Sequence, residues 1–155
     1  MKSYYSCLDC ASVRQVPQPL QHLAIADKAD KLGGTVVFYT AEEFETLASQ
    51  EIMRIKIGES PEVAGIIFFT LRQFGYGDGL NLEFLNSILQ DSYEVHFARE
   101  DLSITNLAEL DSCFPLLFAY DHVSRRDEEM PFEQRLEQLG TVENVRNNGT
   151  SLGAR

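Results

Sequence analysis

In AGIIFFT, residues 64–70, Ile66, Ile67, Phe68 and Phe69 follow one another with no polar side chain between them. A strand with one face in water alternates apolar and polar residues, so an unbroken apolar run belongs to a strand buried on both faces, as in parallel sheets covered by helices. TVVFYT (35–40) reads the same way, and SYYSCL (3–8) and YEVHFA (93–98) are further apolar runs of strand length. The four runs recur about every 30 residues, the spacing of βαβ units.

The segments between them carry helical periodicity. In QPLQHLAIADKADKLGG (18–34), Leu20, Leu23, Ala26, Ala29 and Leu32 recur at three-residue steps, and Ala24 and Ile25 widen the stripe. Pro19 marks the start of this helix and Gly33-Gly34 its stop. AEEFETLASQEIMRIKIGESPE (41–62) opens acidic, carries Phe44, Leu47, Ile52, Met53 and Ile55, and ends at Gly58 and Pro61. NLEFLNSILQD (81–91) presents Leu82, Leu85, Ile88 and Leu89 to one side of a third helix. The expected fold is α/β: a three-layer sandwich around a small parallel four-stranded sheet with right-handed crossovers. ITNLAELDSCFPLLFAYDHV (104–123) reads as a helix interrupted near Pro115 that covers the sheet or meets a second copy of the chain. Residues 1–125 form a single α/β domain in this reading, and residues 126–155 a polar tail, partly helical or disordered.

Composition narrows the function. The 155 residues carry a formal net charge of −11, and the pI is about 4.6. Such a chain repels phosphate backbones and anionic lipid, and the closest approach to a basic patch, Arg125-Arg126, is followed at once by Asp127, Glu128 and Glu129. No nucleic-acid partner and no membrane partner is expected. The opening MKSYYSCLDC lacks the apolar stretch of a signal peptide, and three cysteines fit a reducing compartment, so the expected location is cytoplasmic.

Ligands of open α/β sheets bind beyond the carboxyl ends of the strands. Those ends deliver Ser6, Cys7, Asp9, Cys10, Arg14 and Gln18, then Thr40, Glu42 and Glu43, then Thr70, Arg72 and Gln73, then His96, Arg99 and Glu100. Cys7-Leu-Asp-Cys10 matches a redox pair in spacing alone, because Arg14, Pro17 and Pro19 intervene before the helix whose N-terminus would activate a thiol. Zinc would need long-range ligands such as Cys113. Small residues at a strand end are the simpler account, and no metal or cofactor is expected. His96, inside an apolar strand, reads equally as a hydrogen-bonded core histidine and as an acid/base group. The GYGDG turn (75–79) lacks the Lys and Ser/Thr of a phosphate loop, and nothing in the sequence marks a Ser-His-Asp triad.

RQVPQPLQHLAIADKADKLGGTVVFYTAEE, PEVAGIIFFTLRQF and YEVHFAREDLSI together resemble the sporadic carbohydrate cluster family of small bacterial proteins. The matching residues are Arg14, Val16-Pro17-Gln18, Gln21, Glu42 (or Glu43), Gln73-Phe74, His96-Phe97-Ala98 and Glu100, within roughly residues 4–105. That family is found among genes of surface-carbohydrate biosynthesis. The chain also looks distantly like the serine recombinase (resolvase) catalytic domain, with Ser6 and Arg14 on comparable ground to its nucleophile and nearby arginine. There LRQF (71–74) stands in place of the family's corner after the third strand, and Arg72 alone stands for its further arginines.

Together these imply a resolvase-like fold and an enzyme or sugar-binding accessory factor of polysaccharide or nucleotide-sugar metabolism. In it Arg14, Glu42, His96 and Glu100 are candidate catalytic residues, and Ser6, Gln18, Gln21 and Gln73 candidate ligand-binding ones. The alternative is a non-catalytic homo-oligomeric interaction module that keeps the fold without recombinase activity, its copies meeting through residues 104–123. A third reading is a Ser6-dependent phosphodiesterase.

Overall fold

A computed structural model describes residues 1–10, 13–42, 51–76, 79–80 and 82–129. Its elements run β1 (Lys2–Asp9), α1 (Gln18–Lys31), β2 (Gly34–Glu42), α2 (Glu51–Gly58) and β3 (Gly65–Phe68). A 3-10 turn (Leu71–Phe74) and two short strands, β4 (Gly75–Tyr76) and β5 (Gly79–Leu80), follow; then come α3 (Leu82–Gln90), β6 (Glu94–Phe97), β7 (Leu102–Ile104) and α4 (Leu107–Glu129). The chain divides into two units, Met1–Asp121 and His122–Arg155. Of the second, residues 122–129 are described, all helical.

The first unit is built on one sheet of order β2-β1-β3-β6-β7, while β4 and β5 pair as a separate antiparallel hairpin at the expected GYGDG turn. The sheet therefore has five strands rather than the expected four. The first four are mutually parallel and coincide with the apolar runs. The fifth, β7, is antiparallel to β6 and only three residues long, too short for alternation to register in sequence. Its return turn passes through Asp101 at φ 50°, a left-handed conformation that Asp adopts more readily than most residues.

The sheet is covered on both faces. Tyr4 and Leu8 of β1 with Ile67 and Phe69 pack on Ile25 and Ala29 of α1. On the other face Cys7, Ile66, Phe68 and Phe97 meet Met53 of α2, Leu85 and Ile88 of α3, and Leu117 of α4. This is the three-layer arrangement, with one helix against three.

The apolar stripe expected to seat α1 is buried in part, through Ile25 and Ala29. Leu20 and Leu23 are 55% and 67% exposed, whereas Gln21, Ile25, Lys28 and Ala29 face the sheet. Two polar side chains are drawn inward because the sheet offers them partners: backbone groups of β1 for Gln21, and Asp101 for Lys28, whose ammonium lies 2.7 Å from the carboxylate. Gly33, at φ 72°, ends the helix in the left-handed conformation expected there.

α4 also departs from expectation. It runs unbroken through Pro115. Pro115 is exposed, so the carbonyl it leaves unbonded one turn earlier can turn to water, which tempers the usual cost of a proline inside a helix. Phe44, Leu47 and Glu43 of the second connection lie outside the described residues.

β3 and β6 approach so closely that a Cβ at Gly65 would sit 2.1 Å from the Glu94 carbonyl oxygen. Neither backbone can yield without breaking the ladder. Gly65→Ala is therefore expected to cost roughly 1–3 kcal/mol, read as a lowered urea midpoint at unchanged slope; an unchanged midpoint would show that the strands can part.

Candidate functional site

The order β2-β1-β3-β6 places the topological switch between β1 and β3, so the ligand crevice of the fold lies beyond their carboxyl ends. Two glutamines occupy it. Gln21 Oε1 accepts from the Asp9 backbone N–H (2.8 Å), and its Nε2 donates to the carbonyls of Asp9 (3.0 Å) and Val16 (2.9 Å). The amide thus acts as a further strand partner for the end of β1. Gln73 Oε1 accepts from the Thr70 N–H (2.9 Å), and its Nε2 donates to the Cys7 carbonyl (3.1 Å). Both side chains are fully buried, and each ties a strand end to a neighbouring segment.

Glu100 completes this edge. Thr70 Oγ1 donates to its Oε1 (2.6 Å) and the Leu71 N–H to its Oε2 (3.0 Å), fixing the turn after β3 against the turn after β6. Ser6 lies mid-strand rather than at the strand end. It is buried, and its hydroxyl donates to the Phe38 carbonyl (3.3 Å).

Cys7 is buried in the core and Cys10 half-buried. Glu42 ends β2, and its side chain lies outside what is described. Arg14 and Gln18 stand exposed in and just after the loop that follows β1, with no polar partner among the described residues. Arg99 is exposed beyond β6, and Arg72 half-buried beyond β3.

His96 belongs to a different cluster. The strand registers set Tyr39, Ser6, Ile67, His96 and Ser103 in one row across the sheet. Ser6 and His96 are two strands apart, about 10 Å, with Ile67 between them. His96 is fully buried, with Nδ1 2.8 Å from Ser103 Oγ and Nε2 3.1 Å from Glu94 Oε2. The same Glu94 oxygen accepts from the Tyr4 hydroxyl (2.9 Å), and Lys2 Nζ lies 2.6 Å from Oε1. The carboxylate bonded to His96 is Glu94, while that of Glu100 bonds Thr70 and Leu71.

Electrostatics fix the protons in this cluster. Burial pushes the Glu94 carboxyl up, but hydrogen bonds from Lys2, Tyr4 and His96 together outweigh it and hold the group below its ordinary value. Burial pushes the His96 imidazole down, against the pull of Glu94, and raises Tyr4, whose hydroxyl stays protonated. An ionised Glu94 can only accept, so Nε2 of neutral His96 carries the proton, Nδ1 is bare, and Ser103 donates to it. Lys2, Tyr4, Glu94 and Ser103 escaped the sequence reading. The available signal was the i, i+2 spacing of Glu94 and His96, which sets both on one face of a strand.

Among solved structures, the chain is similar to a resolvase family site-specific recombinase from Streptococcus pneumoniae, with TM-score 0.55, 12% identity, and 94% of this chain and 99% of that one covered. It is also similar to the N-terminal catalytic domain of TP901-1 integrase, with TM-score 0.54, 10% identity, and 83% and 100% covered. The fold is resolvase-like. At these identities the likeness extends to the fold alone. No protein-family profile and no curated protein matches the chain.

Removing the Gln21 amide would take from the buried Asp9 N–H and C=O the group that each bonds. Gln21→Ala is expected to cost roughly 2–4 kcal/mol, measured by urea unfolding; a loss under about 0.5 kcal/mol would mean water replaces the clamp. Acid stability is expected to reflect His96 and Glu94, both lowered on folding. The unfolded chain takes up protons first at each, so stability falls as pH drops below about 6.5 for His96 and further below about 4.5 for Glu94. His96→Gln should remove the upper part of that fall, and a wild-type urea midpoint that is flat from pH 7 to pH 5 would contradict it.

Proposed function

We propose that the strand-end crevice binds an anionic carbohydrate, a sugar phosphate or nucleotide sugar, and that the chain serves surface-carbohydrate biosynthesis as a binding factor rather than as a recombinase. The observation that carries this reading is the division of polar side chains at that edge. Gln21, Gln73, Thr70 and Glu100 hold the strand ends together, while Arg14 and Arg99 project from the loops after β1 and β6. Arg72 follows the strand between them. In a chain of net charge −11, each of the three neighbouring strands β1, β3 and β6 is thus followed within five residues by an arginine. Guanidinium groups suit phosphate oxygens, and the Gln18 amide beside them suits a sugar hydroxyl.

The resemblance to the sporadic carbohydrate cluster family, which rests on Arg14, Gln18 and their neighbours, supports the sugar. The burial of Ser6 and its bond to Phe38 speak against a recombinase nucleophile. Of the two proteins that share the fold, one is named a site-specific recombinase and the other an integrase; the acidic charge of this chain does not favour a DNA partner.

A second reading, compatible with the first, is assembly of copies through residues 104–123. Leu107 and Phe114, seven residues apart and so on one face of α4, are 40% and 46% exposed, and an apolar helix face favours a helical partner.

Thermal-shift measurements against a panel of nucleotide sugars and inorganic phosphate are expected to show stabilisation by at least one nucleotide sugar, lost in Arg14→Ala. No shift with any of them, or a shift that Arg14→Ala leaves intact, would refute the crevice as the site. Light scattering is expected to give a dimeric mass that Phe114→Asp converts to monomer, and a monomeric wild type would remove the second reading.

A further inference from the structure

We propose that Ser103, His96 and Glu94 form an acyl-transfer centre, separate from the strand-end crevice, in which Ser103 Oγ is a nucleophile toward uncharged esters and comparable activated acyl groups. The three groups have the connectivity that nucleophilic catalysis requires: a hydroxyl within hydrogen-bond reach of a base, and the base oriented by a carboxylate. Ser103 Oγ and Glu94 Oε2 lie 2.8 Å and 3.1 Å from opposite nitrogens of the same imidazole. Because Nε2 carries the proton toward Glu94, the bare Nδ1 is aimed at the serine hydroxyl, which is the tautomer a general base needs.

The surroundings hold this geometry in place. Tyr4 and Lys2 of β1 occupy the remaining acceptor sites of Glu94, and the Tyr4 ring meets the imidazole edge-on at 5.4 Å. His96 has no exposed surface, whereas Ser103 is half-buried. Ser103 is therefore the more exposed end of the relay. β7 is the last strand of the sheet, and an edge strand presents unpaired backbone N–H groups on its outer side, donors for an oxyanion formed beside Ser103.

The charged groups around the imidazole are Lys2 on β1, Lys28 on α1, Glu94 on β6 and Glu109 in the first turn of α4. The two carboxylates stabilise the imidazolium that forms during reaction. They also disfavour an anionic substrate, which is why the acyl group is assigned as uncharged.

The step balances without any further reagent. Ser103 Oγ bonds to the carbonyl carbon as its proton passes to His96 Nδ1. The alcohol leaves with the bonding pair and takes that proton, giving acyl-Ser103 and neutral His96. Water, deprotonated by Nδ1, then releases the acid and restores the serine. His96 and Ser103 are the catalytic residues here, and Glu94 is a positioning residue.

The test is reaction of the 155-residue chain with a fluorophosphonate probe, in which the serine oxygen displaces fluoride, followed by peptide mapping. The expected result is a single label on Ser103. It should be absent in Ser103→Ala, which removes one oxygen and whose fold is checked by its melting curve, and slowed about a hundredfold in His96→Gln. In Glu94→Gln the base loses its carboxylate, so the inflection of the labelling rate with pH should move to lower pH, an effect that loss of packing alone would not produce. A folded wild-type chain that takes up no label at Ser103, or takes it up at the same rate in His96→Gln, would overturn the proposal.

Discussion

β1 and β3 lie side by side at the centre of the sheet with helices over both faces, so a polar group on either strand must find its partner inside the protein. A buried amide or hydroxyl left without one costs on the order of 1–3 kcal/mol. The requirement explains the contacts of Ser6, Gln21 and Gln73 together. Gln21 bonds the backbone of Asp9, the last residue of β1, and Gln73 links Cys7 near the end of β1 to Thr70 just past β3. The same side chains fill the strand-end edge that this topology opens.

The parallel core was legible because burial on both faces imposes unbroken apolar runs, and those runs coincide with β1, β2, β3 and β6. What was not legible depended on partners distant in sequence. The α1 stripe of Leu20 and Leu23 has good helical spacing, yet the helix turns Gln21 and Lys28 inward because β1 and Asp101 wait for them, across 12 and 73 residues. β7 carries no pattern of its own and exists as the return of β6. Pro115 signals a break, and the helix tolerates it where the proline faces water.

The candidate site residues divided along the same line. Their types and approximate location were readable, since strand ends can be counted from the sequence. Whether a given glutamine faces a ligand or a backbone amide was not, because both uses draw on the same donors and acceptor. His96 shows the point most clearly. It was grouped with Glu42 and Glu100 as a candidate catalytic residue, and the carboxylate it bonds is Glu94, two residues before it on the same strand face. Two polar clusters result, one of Gln21, Gln73, Thr70 and Glu100 at the strand ends and one of Glu94, His96 and Ser103 across β6 and β7. The sequence had merged them into one.

Amide hydrogen exchange at Asp9 and Thr70 tests most directly whether the strand-end glutamines belong to the fold. Their N–H groups donate to Gln21 Oε1 and Gln73 Oε1. The account predicts protection comparable to that of Ile67 in the core of β3. Exchange at the rate of an open loop at both positions would contradict it, returning Gln21 and Gln73 to the pool of ligand-binding side chains.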